Sequence, residues 1–184
     1  MGGSLNQEEI LYIKNQGTHY DNIDNFVETG TYKGDTAIAA TKHFKHVYTI
    51  EIFEPLYIDS MLRASTEGIS NIVFLLGDSL EQLNNIVPDV AADGAVYFID
   101  AHISGGDSSW NNVNRVPLME ELDIILSHKI GPSVFVFDDL RLWKQKIWDW
   151  EHITNESIIR KFILRDIEIS HMFEKNDRFY IFTK

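Results

Sequence analysis

The sequence predicts an α/β domain built on one mostly parallel, seven-stranded sheet that finishes in an antiparallel hairpin. Three observations carry this. Short apolar runs alternate with helix-forming segments almost from end to end. Runs such as Asn71–Leu76 (NIVFLL) and Ser133–Phe137 (SVFVF) are apolar at nearly every position, as strands covered on both faces require. The last two runs, Ile167–Phe173 and Arg178–Thr183, are joined only by the turn EKND. That is far too little chain for a parallel crossover, so they pair antiparallel.

The elements follow in order. An amphipathic stretch, Asn6–Asn15, predicts a leading helix within an introductory segment 5–24. Asn25–Glu28 is a strand and Gly34–Phe44 a helix. His46–Glu51 (HVYTIE) is the second strand, followed by a helix over Pro55–Ser65 with Pro early in its first turn, where the missing N–H costs nothing. Asn71–Leu76 is the third strand, Ser79–Ile86 a short helix, and Ala95–Ile99 (AVYFI) the fourth strand. A polar loop, SGGDSSWNNVNR, leads into a helix over Pro117–His128. After the fifth strand, Ser133–Phe137, come a Trp-rich connection and a helix over Asn155–Leu164. No repeat, linker or low-complexity tract divides the chain, so 1–184 reads as a single domain, with MGGS at its start resembling a cloning remnant.

Composition narrows the partners. At 44% hydrophobic and 12% aromatic the chain should fold around a sizeable core. Nothing approaches the roughly 18 unbroken apolar residues of a membrane helix, and no signal-peptide pattern is visible, so no membrane partner is expected. There are no cysteines, which removes disulfides, thiolate metal sites and cysteine nucleophiles and fits a cytoplasmic setting. The formal charge is −12, whereas a nucleic-acid binder carries a basic footprint; a small-molecule partner is the expectation.

In an open parallel sheet, ligands bind beyond the carboxyl ends of the strands. The first strand runs into FVETGTYKGDTA, Phe26–Ala37, where Gly30 permits a tight turn and Gly34 lets a helix start close to a ligand. The spacing is G-x-x-x-G, not the G-x-G-x-x-G of dinucleotide binders. The second strand ends at Glu51, an acid placed to accept hydrogen bonds from ribose hydroxyls. The third is followed by Gly77-Asp78-Ser79, polar groups suited to an adenine edge and equally to capping a helix. Taken together, the chain resembles a class I S-adenosylmethionine-dependent methyltransferase of Rossmann-like architecture, whose five parallel strands also end in a hairpin. VETGTYKGDT resembles that family's first motif. The resemblance implies that Glu28, Gly30, Thr31 and Tyr32 line the methionine part, Glu51 holds the ribose and Asp78 with Ser79 reach the adenine, with Gly34, Ile52 and Asp100 also bordering the cofactor. Many relatives have glycine where this chain has Tyr32.

The fourth strand ends in FIDAH and the fifth in VFDDLR, so Asp100, His102, Asp138 and Asp139 should converge. Three carboxylates in one cleft repel one another unless a cation or proton compensates, and Mg²⁺ accepts such oxygen ligands. A metal on an acceptor hydroxyl lowers its pKa, and a histidine is suited to take the proton. This layout resembles metal-dependent O-methyltransferases of the macrocin and novobiocin type, which act on sugar hydroxyls. The resemblance implies Asp100, Asp138 and Asp139 as metal ligands, with Asp100 and His102 catalytic and His102 the base. Those relatives carry Asp at the base position, which leaves His102 open as a ligand instead.

The loop with Asp107, Trp110 and Arg115, and the run with Trp143, Trp148 and Trp150, either frame the acceptor pocket or pack an edge of the sheet or a dimer contact. A homodimer would supply the lid for which the short leading segment has little material. The expected activity is methyl transfer to a hydroxyl of a small molecule. The alternatives are metal-independent N- or carboxyl-methylation, a non-catalytic binding module of the same fold, and a nicotinamide enzyme, against which the glycine spacing and the hairpin both count.

Overall fold

Seven strands form one sheet in the order β3-β2-β1-β4-β5-β7-β6. The computed structural model describes residues 3–102, 115–145 and 148–184; Asp107, Trp110 and the side chain of Trp148 fall outside that description. The elements are α1 (Gln7–Lys14), α2 (Thr18–Asp21), β1 (Asn25–Thr29), α3 (Asp35–Ala40), β2 (His46–Glu51), α4 (Glu54–Thr66), β3 (Ile72–Leu76), α5 (Ser79–Val90), β4 (Ala95–Ile99), α6 (Leu118–Leu126), β5 (Val134–Phe137), α7 (Leu140–Gln145), α8 (Asn155–Leu164), β6 (Ile169–Lys175) and β7 (Arg178–Thr183). Strands β1 to β5 pair in parallel, and β7 runs antiparallel between β5 and β6. The expected fold class is the observed one.

Side chains alternate between two packed layers, as the pleat demands. Val27, Tyr97, Ile99 and Phe135 face the layer that contains Leu83 of α5, Leu122 of α6 and Phe162 of α8. Phe26, Val96, Phe98 and Val136 face Ile10, Tyr20 and Ala37 from α1, α2 and α3. Every residue of β1, β4, β5 and β7 is buried, which explains the near-continuous apolar runs. Register matters for the site. Thr29 lies level with Ile50 and Ile99, and Ile99 with Phe137, so the carboxyl ends of β1, β2, β4 and β5 form one rim.

The differences from expectation are local. Helix α3 stops at Ala40 rather than Phe44, because the Thr41 hydroxyl bonds back to the Ile38 carbonyl and residues 41–43 close a tight turn. Helix α5 continues past Ile86 and through Pro88 to Val90, held by the buried face of Leu83, Val87 and Val90. The terminal hairpin turns on two residues rather than four. Asn176 and Asp177 both take positive φ (52° and 65°), so Glu174 and Lys175 belong to β6. Helices α2 and α7 carry no clear periodic signal and were not expected. Among the described residues, no helix is long and apolar enough to cross a membrane.

Candidate functional site

The loop after β1 is fixed by backbone contacts. The amides of Gly30 and Thr31 both donate to the Ile50 carbonyl, at 2.9 and 3.0 Å. Gly30 has φ +83°, and a Cβ there would stand 2.6 Å from the Asp100 carbonyl oxygen, so the loops after β1 and β4 meet main chain to main chain. Gly34, at φ +79°, backs onto Ser60 of α4, whose Cβ would lie 3.0 Å from an added one. Between them Tyr32 adopts φ 49° with its ring half exposed, a conformation an L residue enters at a cost. Its N–H donates to Glu51 Oε2 at 2.8 Å, while the Phe53 N–H donates to Glu51 Oε1 at 2.9 Å. Each Glu51 oxygen keeps a lone pair for a further donor. Burial pushes the Glu51 carboxyl up, against the opposing effect of these backbone bonds. Ile52, half-buried, follows in the same turn.

Beneath the loop, Glu28 is 1% exposed. Its Oε2 lies 2.5 Å from the Thr49 hydroxyl, which is itself 2.5 Å from the Thr31 hydroxyl. Burial raises its carboxyl to about 8 even so. The folded chain therefore keeps a proton, between pH 4.5 and about 8, that the unfolded chain releases. Stability present below pH 4.5 is lost as the pH rises toward 8. Glu28→Gln should flatten that fall, by about 2–4 kcal/mol at pH 8.5 relative to pH 5. Denaturant unfolding at both pH values measures it, and equal pH dependence in the two proteins would refute it.

Asp78 and Ser79 lie at the start of α5. Asp78 caps that helix, accepting from the Leu80 N–H at 2.8 Å, and Ser79 is buried behind it. The rim thus brings together Glu28, Gly30, Thr31, Tyr32, Glu51, Ile52, Asp78, Ser79 and Asp100. It also contains a group that the sequence reading missed. Glu121 of α6 is completely buried and accepts from the Thr29 hydroxyl at 3.2 Å. Glu121 lies on the apolar face of Leu118, Leu122 and Ile125, and an acid at such a position is a legible signal. In the first turn of a helix it passes for an ordinary dipole-compensating residue.

Next to this rim, His102 lies between Asp100 and Asp139. Its Nε2 is 2.6 Å from Asp139 Oδ2, and its Nδ1 is 3.5 Å from Asp100 Oδ1. Burial raises Asp100 well above the usual range, although its side chain is 26% exposed, and the charges of Asp138, Asp139 and Glu28 add to the rise. Burial also pushes on Asp139, but His102 and Arg141 outweigh it and leave that carboxyl below its ordinary value. Asp139 has φ 58°, so the chain reverses between the two adjacent acids. Asp139 pairs with Arg141, which also holds Asp177.

Asp138 instead meets Arg178 of β7, with its Oδ1 3.0 Å from Nε. Neither atom makes a well-directed hydrogen bond, so this contact is an ion pair. Burial lifts Asp138 to about 6 against the pull of Arg178. Asp100, His102 and Asp139 offer ligand atoms all within 4.8 Å of one another, and Asp138 is not part of that group. Arg141 thus offsets Asp139 and Arg178 offsets Asp138, whereas Asp100 stands beside His102.

Trp150 is completely buried and packs edge-on to His102, with ring centroids 4.9 Å apart, while Trp143 is buried against Phe137 and Phe179. Of the two readings for these tryptophans, packing is the one observed. Arg115 is exposed.

No protein-family model matches the chain, and no curated protein matches it in sequence. Solved structures do match. The O-methyltransferase TomG from Streptomyces achromogenes, involved in tomaymycin synthesis and solved with SAM, superposes with a TM-score of 0.61 at 17% identity, over 90% of this chain and 75% of that one. The N-methyltransferase NodS from Bradyrhizobium japonicum WM9 gives 0.58 at 14%, over 96% and 91%. An rRNA methylase from Streptococcus thermophilus gives 0.54 at 11%, over 89% and 87%. At such identities the likeness is one of fold. The chain has the class I methyltransferase fold, which serves oxygen, nitrogen and RNA acceptors alike.

Proposed function

We propose that this chain is an S-adenosylmethionine-dependent methyltransferase acting on a hydroxyl of a small molecule, with His102 as general base. The observation that carries the reading is the position of His102. It is held between Asp100 and Asp139 at the end of β4, beside a rim lined with acids. S-adenosylmethionine offers an ammonium, a sulfonium and two ribose hydroxyls, and the acidic oxygens of Glu51, Asp78 and Asp100, with Glu28 behind them, offer acceptors for that set. When bound, its sulfonium supplies the methyl group that the acceptor oxygen attacks.

The protein's own part is to hold the proton. Asp139, kept anionic by His102 and Arg141, accepts from Nε2–H of His102 and so leaves the lone pair on Nδ1. Nδ1 then takes the hydroxyl proton as the acceptor reacts. The acidic balance of the chain favours a small molecule over RNA. A second reading rests on the grouping of Asp100, His102 and Asp139, whose ligand atoms lie within 4.8 Å of one another and would have to draw together to hold a divalent ion such as Mg²⁺. There the ion would lower the pKa of the acceptor hydroxyl.

The test pairs calorimetric titration of S-adenosylhomocysteine, with and without Mg²⁺ and with NAD⁺ as control, with a screen of sugar and phenol acceptors. His102→Asn should bind the product normally and lose about 10²–10⁴-fold in turnover. Full turnover in that variant would remove the base. Turnover lost in chelator and restored by Mg²⁺ would favour the metal reading, and NAD⁺ binding in preference to S-adenosylhomocysteine would overturn both.

A further inference from the structure

Glu121 takes no part in the chemistry above, yet it joins three parts of the rim. Its Oε2 accepts from the Thr29 hydroxyl at 3.2 Å, and Thr29 Oγ1 in turn accepts from the N–H groups of Asp100 and Ala101, at 3.2 and 3.3 Å. This fixes the end of β1 to the end of β4. The other oxygen, Oε1, is buried and makes no well-formed hydrogen bond. Ser79, at the start of α5, stands near enough to the carboxyl to favour its ionised form. A fully buried oxygen without a partner is costly, so its chemical state has to be explained.

We infer that Glu121 is a positioning residue, a neutral carboxylic acid whose Oε1–H donates to Ser79 and leaves the Ser79 hydroxyl free to donate to a ring nitrogen of the bound purine. The inference rests on the S-adenosylmethionine reading. Its chemistry is a matter of hydrogen-bond direction. Oε2 already accepts from Thr29, so the acid proton belongs on Oε1. A protonated Oε1 donates, and the Ser79 proton is then available to the pocket. An ionised Oε1 would accept that proton itself, and the purine would face an oxygen lone pair instead of a donor. The surroundings favour the neutral form. Burial raises the Glu121 carboxyl to about 8, and the charges facing it, Asp78 at the cap of α5 and Glu120 beside it in α6, push the same way.

The experiment titrates the full chain with S-adenosylhomocysteine and with 5′-methylthioadenosine, which keeps the purine and lacks the amino acid. Wild type, Glu121→Gln, Glu121→Leu and Ser79→Ala are compared between pH 6 and pH 9. Glutamine keeps a donor for Ser79 and an acceptor for Thr29, so it should bind both probes at pH 6 within about twofold of wild type. Leucine should lose about tenfold or more for both probes, as should Ser79→Ala. Wild-type affinity should fall as the pH rises through 8, and Glu121→Gln should lose the larger part of that fall.

The same pH dependence in wild type and Glu121→Gln would overturn the inference, and this holds even if Glu121→Leu fails to fold. Wild-type affinity in a folded Glu121→Leu would overturn it as well, leaving the cofactor reading intact. A wild-type chain that binds neither probe would overturn both.

Discussion

Gly30→Ala is expected to abolish binding of S-adenosylhomocysteine and to cost about 2–4 kcal/mol of stability. Two effects add. The residue sits at φ +83°, where an L side chain is strained, and its new Cβ would meet the Asp100 carbonyl oxygen at 2.6 Å and the carbonyl carbon at 3.0 Å. Those are main-chain atoms at the end of a buried strand, and they have no rotamer through which to yield. The loops after β1 and β4 must separate, and both border the rim proposed to hold the cofactor. Gly68 provides the control. Its φ is +71°, but an added Cβ would meet nothing within 4 Å, so Gly68→Ala should cost only about 1 kcal/mol and leave binding unchanged. Chemical denaturation and calorimetry of the two variants decide the matter. Equal effects would mean that the contact with Asp100 is not what demands glycine at position 30.

Arg178→Met should be the most damaging single change to the folded state, at about 3–5 kcal/mol. The Arg178 side chain is 4% exposed. It pairs with Glu9 of α1 at 2.8 Å and with Asp138 at 3.0 Å, donates to the Gly3 carbonyl, and lies 5.6 Å from the ring centroid of Phe98. Removing it strands two acids, one of which is 2% exposed. Methionine fills much of the volume, so the loss would reflect charge more than packing. Adding Asp138→Asn should restore part of the stability, because the neutral amide no longer needs a cation. A loss below about 1 kcal/mol on denaturation would show that water reaches these acids and that Arg178 is not their counter-ion.

The fold was legible because its signals are repetitive. Buried parallel strands must be apolar throughout, and AVYFI and VFVF are; NIVFLL carries the same signal but forms the edge strand β3, where Val73 and Leu76 are exposed, because apolar content alone does not tell an edge from the centre. The acids of the rim were legible for a related reason: ligand groups in such a sheet lie where strands end, so Glu28, Glu51, Asp78, Asp100, Asp138 and Asp139 could be picked out in advance.

What could not be read depends on direction and on distance along the chain. Asp138 and Asp139 look like one pair, but the positive φ of Asp139 sends them to different arginines. Arg178 opens the last strand, and nothing local marks it as the partner of an acid after the fifth. Trp143 and Trp150 suit a pocket by composition, and only packing shows that they face inward. Glu121 was missed because first-turn acids are common and its burial is a tertiary fact.

The position of β7 has a consequence for how the protein is made. It is the last strand in the sequence, yet it lies inside the sheet, between β5 and β6, and brings Arg178 to Asp138. A chain emerging from the ribosome therefore presents its acids long before this counter-ion exists, with one edge of β5 still open. Until then α1 has no anchor for Glu9 either. The strands β1 to β4 can assemble early, whereas Asp138 stays without its counter-ion until β7 has been made.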